Sequence, residues 1–251
     1  MRFAVKIAYD GTTYAGWQRQ KNAVSVQQRL EEAFALAVGE EIKVTASGRT
    51  DAGVHAIGQV CHFDVSDRVT IPAGKIPDCV NRFLPEEIRV LEGWQAADDF
   101  DSTRGAKRKT YCYRLYEGDK ENPLLSRYAV RIESLPSEEE LQKAARLFEG
   151  EHDFKAFCAS GSSVKTTVRT VYEVKVKKEQ VLGLPLVCIY VTGNGFLYNM
   201  VRTMVGELLE IAAKRKDEKK LLAAYQTGER NLLGKTMPAK GLTLVSVEYP
   251  Q

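Results

Sequence analysis

The sequence predicts an α+β protein of two βαββαβ units with antiparallel sheets and a cleft between them. Three observations carry this expectation. Apolar alternation at Phe3, Val5, Ile7 and Tyr9 has the period of a half-buried strand. Helical stripes flanked by capping and stop residues then interrupt the strands. The same order of elements occurs twice along the 251 residues.

In the first unit, the opening strand leads to a helix whose start carries Ser25 with Gln28 three residues on, the pattern of a capping box. Leu30, Ala33, Phe34 and Ala37 form its apolar stripe, and Gly39 is its terminator. Strands are expected near Ile42 to Ala46, Gln59 to Val65 and Ile88 to Trp94, with a short helix near Lys75 to Leu84.

The second unit starts with a strand at Thr110 to Tyr116 and a helix capped by Ser137 and Glu140 and closed by Gly150. Strands at Val168 to Lys177 and Leu186 to Thr192 are expected to pair across a Gly-Pro turn. A long helix presents Phe196, Met200, Val201, Met204, Val205, Leu208 and Ala212 on one face, a second holds Leu221, Leu222 and Tyr225, and Leu242 to Val247 closes the chain. This split-βαβ order implies two ferredoxin-like units, residues 1–105 and 106–251, divided in the polar stretch from Asp98 to Lys109.

Composition excludes several classes. No run of eighteen apolar residues occurs and Met1 to Tyr9 alternates, so neither a membrane span nor a secretory signal is expected. Five scattered cysteines, set mostly in apolar runs, read as reduced thiols of a cytoplasmic protein. His55, His62 and His152 have no metal-ligand spacing with one another or with the cysteines, so no metal site is expected. Charge is uneven: residues 1–105 carry 12 Lys+Arg against 15 Asp+Glu, net −3, and residues 106–251 carry 24 against 18, net +6. A basic second half is compatible with phosphate contacts, although basic clusters are more often solvated faces.

Three clusters could carry chemistry. The loop from Ser47 to His55 holds Arg49, Asp51 and His55, with glycines that let it bend and present a carboxylate. On spacing alone, the plainer alternative of an Asp51 that caps a polar turn stands ahead. Arg49, two residues away, could keep Asp51 ionised, as a nucleophile or base requires; otherwise the two form a surface ion pair. The segment Arg104 to Arg114 leads cations into a strand where Tyr111 and Tyr113 face the same side, a candidate nucleotide platform. For Tyr113 core packing is the better reading. In the third cluster, Gly193 to Arg202, Arg202 sits among apolar helix neighbours, where a charge either snorkels to solvent or meets a carboxylate.

Two further signals are weak. Gly228 to Thr236 has five residues between its glycines and follows a helix, which rules out a P-loop. The run Lys214 to Lys220 reads as a solvated helix end.

Together these segments resemble the pseudouridine synthases of the tRNA anticodon arm, the TruA family, along nearly the whole chain. The strongest match is Gly48-Arg49-Thr50-Asp51-Ala52-Gly53-Val54-His55-Ala56, similar to the family's signature loop. Tyr9-Asp10-Gly11-Thr12, Gly16-Trp17-Gln18, His152-Asp153-Phe154, Phe196 to Gly206 and Ala239-Lys240-Gly241-Leu242 support it in the family's order.

The resemblance implies that Asp51 is the catalytic nucleophile, Tyr111 stacks on the target uracil, Arg202 is an active-site partner of Asp51, and Arg49 contacts the RNA near the flipped nucleotide. It also implies a homodimer without cofactor acting on tRNA at positions 38, 39 and 40. One departure is visible: the family commonly places an Arg three residues after the position of Phe100, where this chain has Thr103, with Arg104 one later. A tandem RNA-binding module is the main rival, but no RNP1-type strand occurs. A glycoside hydrolase would need a second carboxylate with Asp51.

Overall fold

The computed structural model describes residues 1–159 and 164–250. In chain order its strands and α-helices are β1 (Arg2–Tyr9), α1 (Val26–Val38), β2 (Thr45–Ala46), β3 (His55–Asp64), α2 (Ile76–Val80), β4 (Ile88–Ala96), β5 (Arg108–Glu117), β6 (Val130–Ile132), α3 (Glu138–Ala145), β7 (Gly150–Asp153), β8 (Val168–Val181), β9 (Leu184–Gly193), α4 (Met200–Ala212), α5 (Glu218–Thr227) and β10 (Leu242–Glu248). The chain divides into two compact units, Met1–Lys107 with Thr243–Gln251, and Arg108–Leu242. Among the described residues no helix is long and apolar enough to cross a membrane.

In the first unit the strand order is β4-β1-β3, with β2 also on β3, all antiparallel. That is the split-βαβ order expected from the sequence. β10 pairs with β3 in parallel, Thr243 opposite His55 and Leu244 opposite Ala56. α1 starts where expected, with Ser25 Oγ accepting from the Gln28 amide, and ends on Gly39 in the left-handed region. The Gln28 side chain donates to Glu32 at 2.8 Å. The core joins α1 to the sheet through Phe34 and Phe63, whose ring centroids are 4.3 Å apart. β3 begins at His55, four residues earlier than the alternation suggests, because His55 and Ala56 pair with β10 and Ala56 with Tyr9 of β1, while Ile57 is exposed and breaks the alternation.

The second unit orders its strands β5-β9-β8-β7, antiparallel, with β6 parallel to β5. α3 carries the expected capping box of Ser137 and Glu140. It ends at Ala145, and Gly150 opens β7 instead of closing the helix. The β8–β9 hairpin turns on Leu182 and Gly183, both at positive φ as a two-residue hairpin loop demands, and Pro185 lies inside β9 opposite Gln180. Phe196 precedes α4, which starts at Met200 behind an Asn199 in the left-handed region.

Candidate active site

Asp51 sits in the loop that joins β2 to β3. The start of the loop is fixed to β3 by buried polar groups. The Ser47 amide donates to the Val60 carbonyl at 2.8 Å, the Ser47 hydroxyl donates to Gln59 Oε1 at 2.6 Å, and Gln59 Nε2 donates to the Gly48 carbonyl at 2.9 Å. The Val54 amide then closes a four-residue turn onto the Asp51 carbonyl at 3.1 Å, with Gly53 at φ 78°, the position-three geometry of a type II turn. Asp51 is half-buried and Arg49 exposed. The turn that the residue types suggested is therefore present, and it carries the carboxylate at its first position.

Two segments from the start of the chain wrap this loop. The Tyr9 hydroxyl lies 2.8 Å from Thr50 Oγ1, and the Trp17 amide donates to the Thr50 carbonyl at 3.0 Å. Burial pushes the Tyr9 phenol well above its ordinary range, so it stays protonated as a donor or acceptor for Thr50. A Cβ at Gly11 would overlap the Val54 carbonyl oxygen, and one at Gly16 would lie 2.7 Å from that of Thr50, so both glycines are required by close backbone approach. His55 Nδ1 lies between the Gly11 amide and Asp10 Oδ1, each at 3.1 Å, and can accept from the first or, protonated, donate to the second. In the sequence, Tyr9 to Thr12 and Gly16 to Gln18 stand out only as motifs shared with the family. Their glycines beside aromatic residues were the available signal of a close-packed backbone.

The segment after Phe100 braces β2, the strand that leads into this loop. Ser102 Oγ donates to the Thr45 carbonyl at 2.8 Å and Thr103 Oγ1 to that of Ala46 at 2.7 Å. His62 Nδ1 accepts the Ser102 amide at 3.2 Å, and burial, aided by Arg2, lowers the ring's pKa and keeps it neutral for that role. Arg104, whose side chain is 90% exposed, reaches Asp101 at 3.8 Å. The departure from the expected Arg thus places a backbone anchor at Thr103 and leaves the cation at the surface.

In the second unit Tyr111 is buried, and its ring meets Phe196 edge-on, with centroids 5.3 Å apart at 90°. Tyr113 is fully buried and donates to the Pro238 carbonyl at 2.7 Å, so the core reading of that residue holds. Arg202, in the first turn of α4, donates from Nε to the Met237 carbonyl at 2.7 Å and from Nη1 to Asn199 Oδ1 at 2.7 Å. Two of its nitrogens are thus held by oxygens close to the start of α4 and the segment that packs on it. Burial raises the Tyr113 phenol pKa against the opposing charge of Arg202.

The segment Gly228 to Thr236 is a buttress for α4. Gly228 ends α5 in the left-handed region, the Gly234 amide donates to Glu207, and Thr236 Oγ1 lies 3.0 Å from Thr203 Oγ1. The basic run from Lys214 is mostly exposed, as the solvated reading expects, with Lys216 the exception. It spans the link between α4 and α5 and is paired, Lys214 with Glu140 at 3.0 Å, Arg215 with Glu210 at 3.1 Å and Lys216 with the fully buried Glu207 at 2.8 Å. Among the described residues, no group of three His, Cys, Asp or Glu side chains is placed to hold a metal ion.

Comparison with known proteins places the chain in a class of enzymes that act on tRNA. The family model described as tRNA pseudouridine synthase matches residues 5–101 and 144–250, and the chain belongs to that family of isomerases. It is 38% identical over 250 residues to tRNA pseudouridine synthase A of Ruminiclostridium cellulolyticum, covering 99% of each chain. It is 42% identical over 243 residues to the protein of the same name from Syntrophotalea carbinolica, covering 97% of this chain and 94% of that one. With the enzyme of that name from Caldicellulosiruptor bescii the identity is 39% over 97% of both chains.

Proposed function

We propose that this protein converts uridine to pseudouridine in the anticodon stem-loop of tRNA, at positions 38, 39 and 40, with Asp51 as the nucleophile. The reaction breaks the N1–C1′ glycosidic bond, turns the freed uracil and joins its C5 to C1′. The proton on C5 leaves and N1 gains one, so atoms and electrons balance within the substrate. Uracil is both leaving group and returning nucleophile, which requires no cofactor.

The observation that carries the reading is the bracing of the Asp51 loop. Tyr9, Gly11, Gly16 and Trp17 hold the backbone on both sides of a half-buried carboxylate. A group held this way needs little reorganisation when it reacts. With the target nucleotide extruded, three steps are open to the ionised carboxylate: attack at C1′, attack on the uracil ring, or removal of a sugar proton. In each, Tyr111 stacks on the base and keeps it in place after detachment, and Arg49 and Arg202 are substrate-binding cations. The family resemblance supports a homodimer acting in the cytoplasm.

Nucleoside analysis of unmodified tRNA after incubation tests the assignment. Wild-type protein should form pseudouridine, and Asp51→Asn should bind the tRNA and form none. Substantial turnover by Asp51→Asn would remove Asp51 from the role. Bound but unchanged tRNA with the wild type would favour a binding module, and released uracil a hydrolase.

A further inference from the structure

Tyr111 does not stand alone on its face of the sheet. Residues two apart on a strand share a face, so Lys109 projects on the same side as Tyr111. In register, Lys109 lies opposite Gly193 of β9, and Gly193 lies opposite Val171 of β8. Arg169, two before Val171, joins that face from the far side.

The middle of this row is a glycine without a side chain. The Phe196 ring occupies the space, with Cζ 3.1 Å from where a Gly193 Cβ would stand, and it meets Tyr111 edge-on. Arg169 lies along the turn that follows, its Nε 3.7 Å from the Cβ position of Gly195. The Arg169 guanidinium is oriented by Nη1, which donates to the carbonyls of Thr166 at 2.9 Å and Val168 at 2.6 Å. Two aromatic rings are thus flanked by two half-buried cations on one face.

We propose that Lys109 and Arg169 form a phosphate-binding pair that takes the RNA backbone beside the base stacked on Tyr111. Rings that receive bases next to cations that follow the phosphates are the general solution for unpaired nucleic acid. A phosphodiester fits better than a carboxylate because the flanking platform is aromatic and the substrate offers phosphates on both sides of each base. Burial lowers the Lys109 pKa to about 8, with Arg169 adding to the effect. Burial also lowers that of Arg169. A pair of cations each penalised in this way gains most from an anion placed between them.

The inference rests on the reading of Tyr111 as the base platform, and binding measurements separate the two. Affinity for an unmodified tRNA transcript is measured across salt concentrations for wild type, Lys109→Met, Arg169→Met and Lys109→Arg, with thermal melting to confirm folding. Each Met variant should bind about tenfold more weakly, the scale of one charge-assisted contact. Each should also flatten the slope of log affinity against log salt by about 0.7 to 0.9. Lys109→Arg should keep both affinity and slope. A Met variant that does not fold is replaced by the matching Gln variant and judged on the same slope. Folded variants with wild-type affinity and slope would overturn the phosphate pair and leave the proposed reaction standing. Wild-type protein that does not bind tRNA would overturn both.

Discussion

The Tyr9 hydroxyl lies 2.8 Å from the Thr50 hydroxyl in a buried pair, one residue before Asp51. This contact ties the last residue of β1 to the loop that carries the carboxylate. Tyr9→Phe keeps the ring and removes the partner, leaving Thr50 Oγ1 short of one bond inside the fold. The expected cost in stability is about 1 to 2 kcal/mol. Because the carboxylate would be held less firmly, single-turnover pseudouridine formation should slow by more than tRNA affinity falls. Urea unfolding and single-turnover kinetics check the two effects, and unchanged kinetics in a destabilised variant would make the pair purely structural.

Gly11 offers a sharper test of the same brace. Any side chain there meets the Val54 carbonyl, which belongs to the turn begun by Asp51. Gly11→Ala should therefore displace the turn and lower the rate by at least about tenfold, as small misplacements of reacting groups do. The tRNA affinity of the folded variant should stay within a few-fold of wild type. Gly39→Ala is the control: a Cβ there meets nothing within 4 Å, yet its φ of 77° strains the helix end. It should cost stability, about 1 kcal/mol, and leave the rate alone.

These contacts mark where the sequence stops being legible. The element order, the α1 and α3 caps and the antiparallel first unit follow from period and capping, which are local properties. The Asp51 turn was legible as a turn because Asp, Ala and Gly stand in sequence. Its bracing was not, because Tyr9, Gly11, Gly16 and Gln59 reach it from three separate segments, and nothing local marks a glycine chosen for a distant carbonyl. β6 and β7 were missed because three or four residues are too short to show a period. Phe196 satisfied the helical spacing of α4 yet lies before the helix, where it fills the space over Gly193.

Glu207 and Lys216 carry a prediction about stability alone. The carboxylate is completely buried, accepts from Lys216 at 2.8 Å and from the Gly234 amide, and leaves Oε1 with no hydrogen-bond partner. Removing only the cation, in Lys216→Met, strands a charge in the interior and should destabilise by about 3 to 5 kcal/mol. Adding Glu207→Gln to that variant removes the charge and keeps an acceptor for Gly234, so the double variant should recover much of the loss. Denaturant midpoints of wild type, Lys216→Met, Glu207→Gln and the double variant give the coupling directly. A Lys216→Met protein as stable as wild type would mean that solvent reaches the pair.

The pH dependence of Lys109 runs in opposite directions for folding and for binding. Its pKa falls from the ordinary lysine value to about 8 in the fold, through burial and then Arg169. Arg169 on β8 is the charge that bears on it. Tyr111 and Arg108 are its neighbours on β5, and Cys158 bears on Arg169. Between pH 8 and the ordinary lysine range the unfolded chain binds more protons than the folded one, so this residue makes folding stability rise with pH there. A phosphate bound at the pair favours the charged amine, so binding takes up a proton in the same window and affinity for tRNA should fall as pH rises through about 8. Arginine stays protonated throughout, so Lys109→Arg should abolish the fall in affinity while leaving the salt slope intact. Titrations of tRNA binding from pH 7 to 9.5 at constant ionic strength check this. An identical pH profile in wild type and Lys109→Arg would assign the dependence to another group.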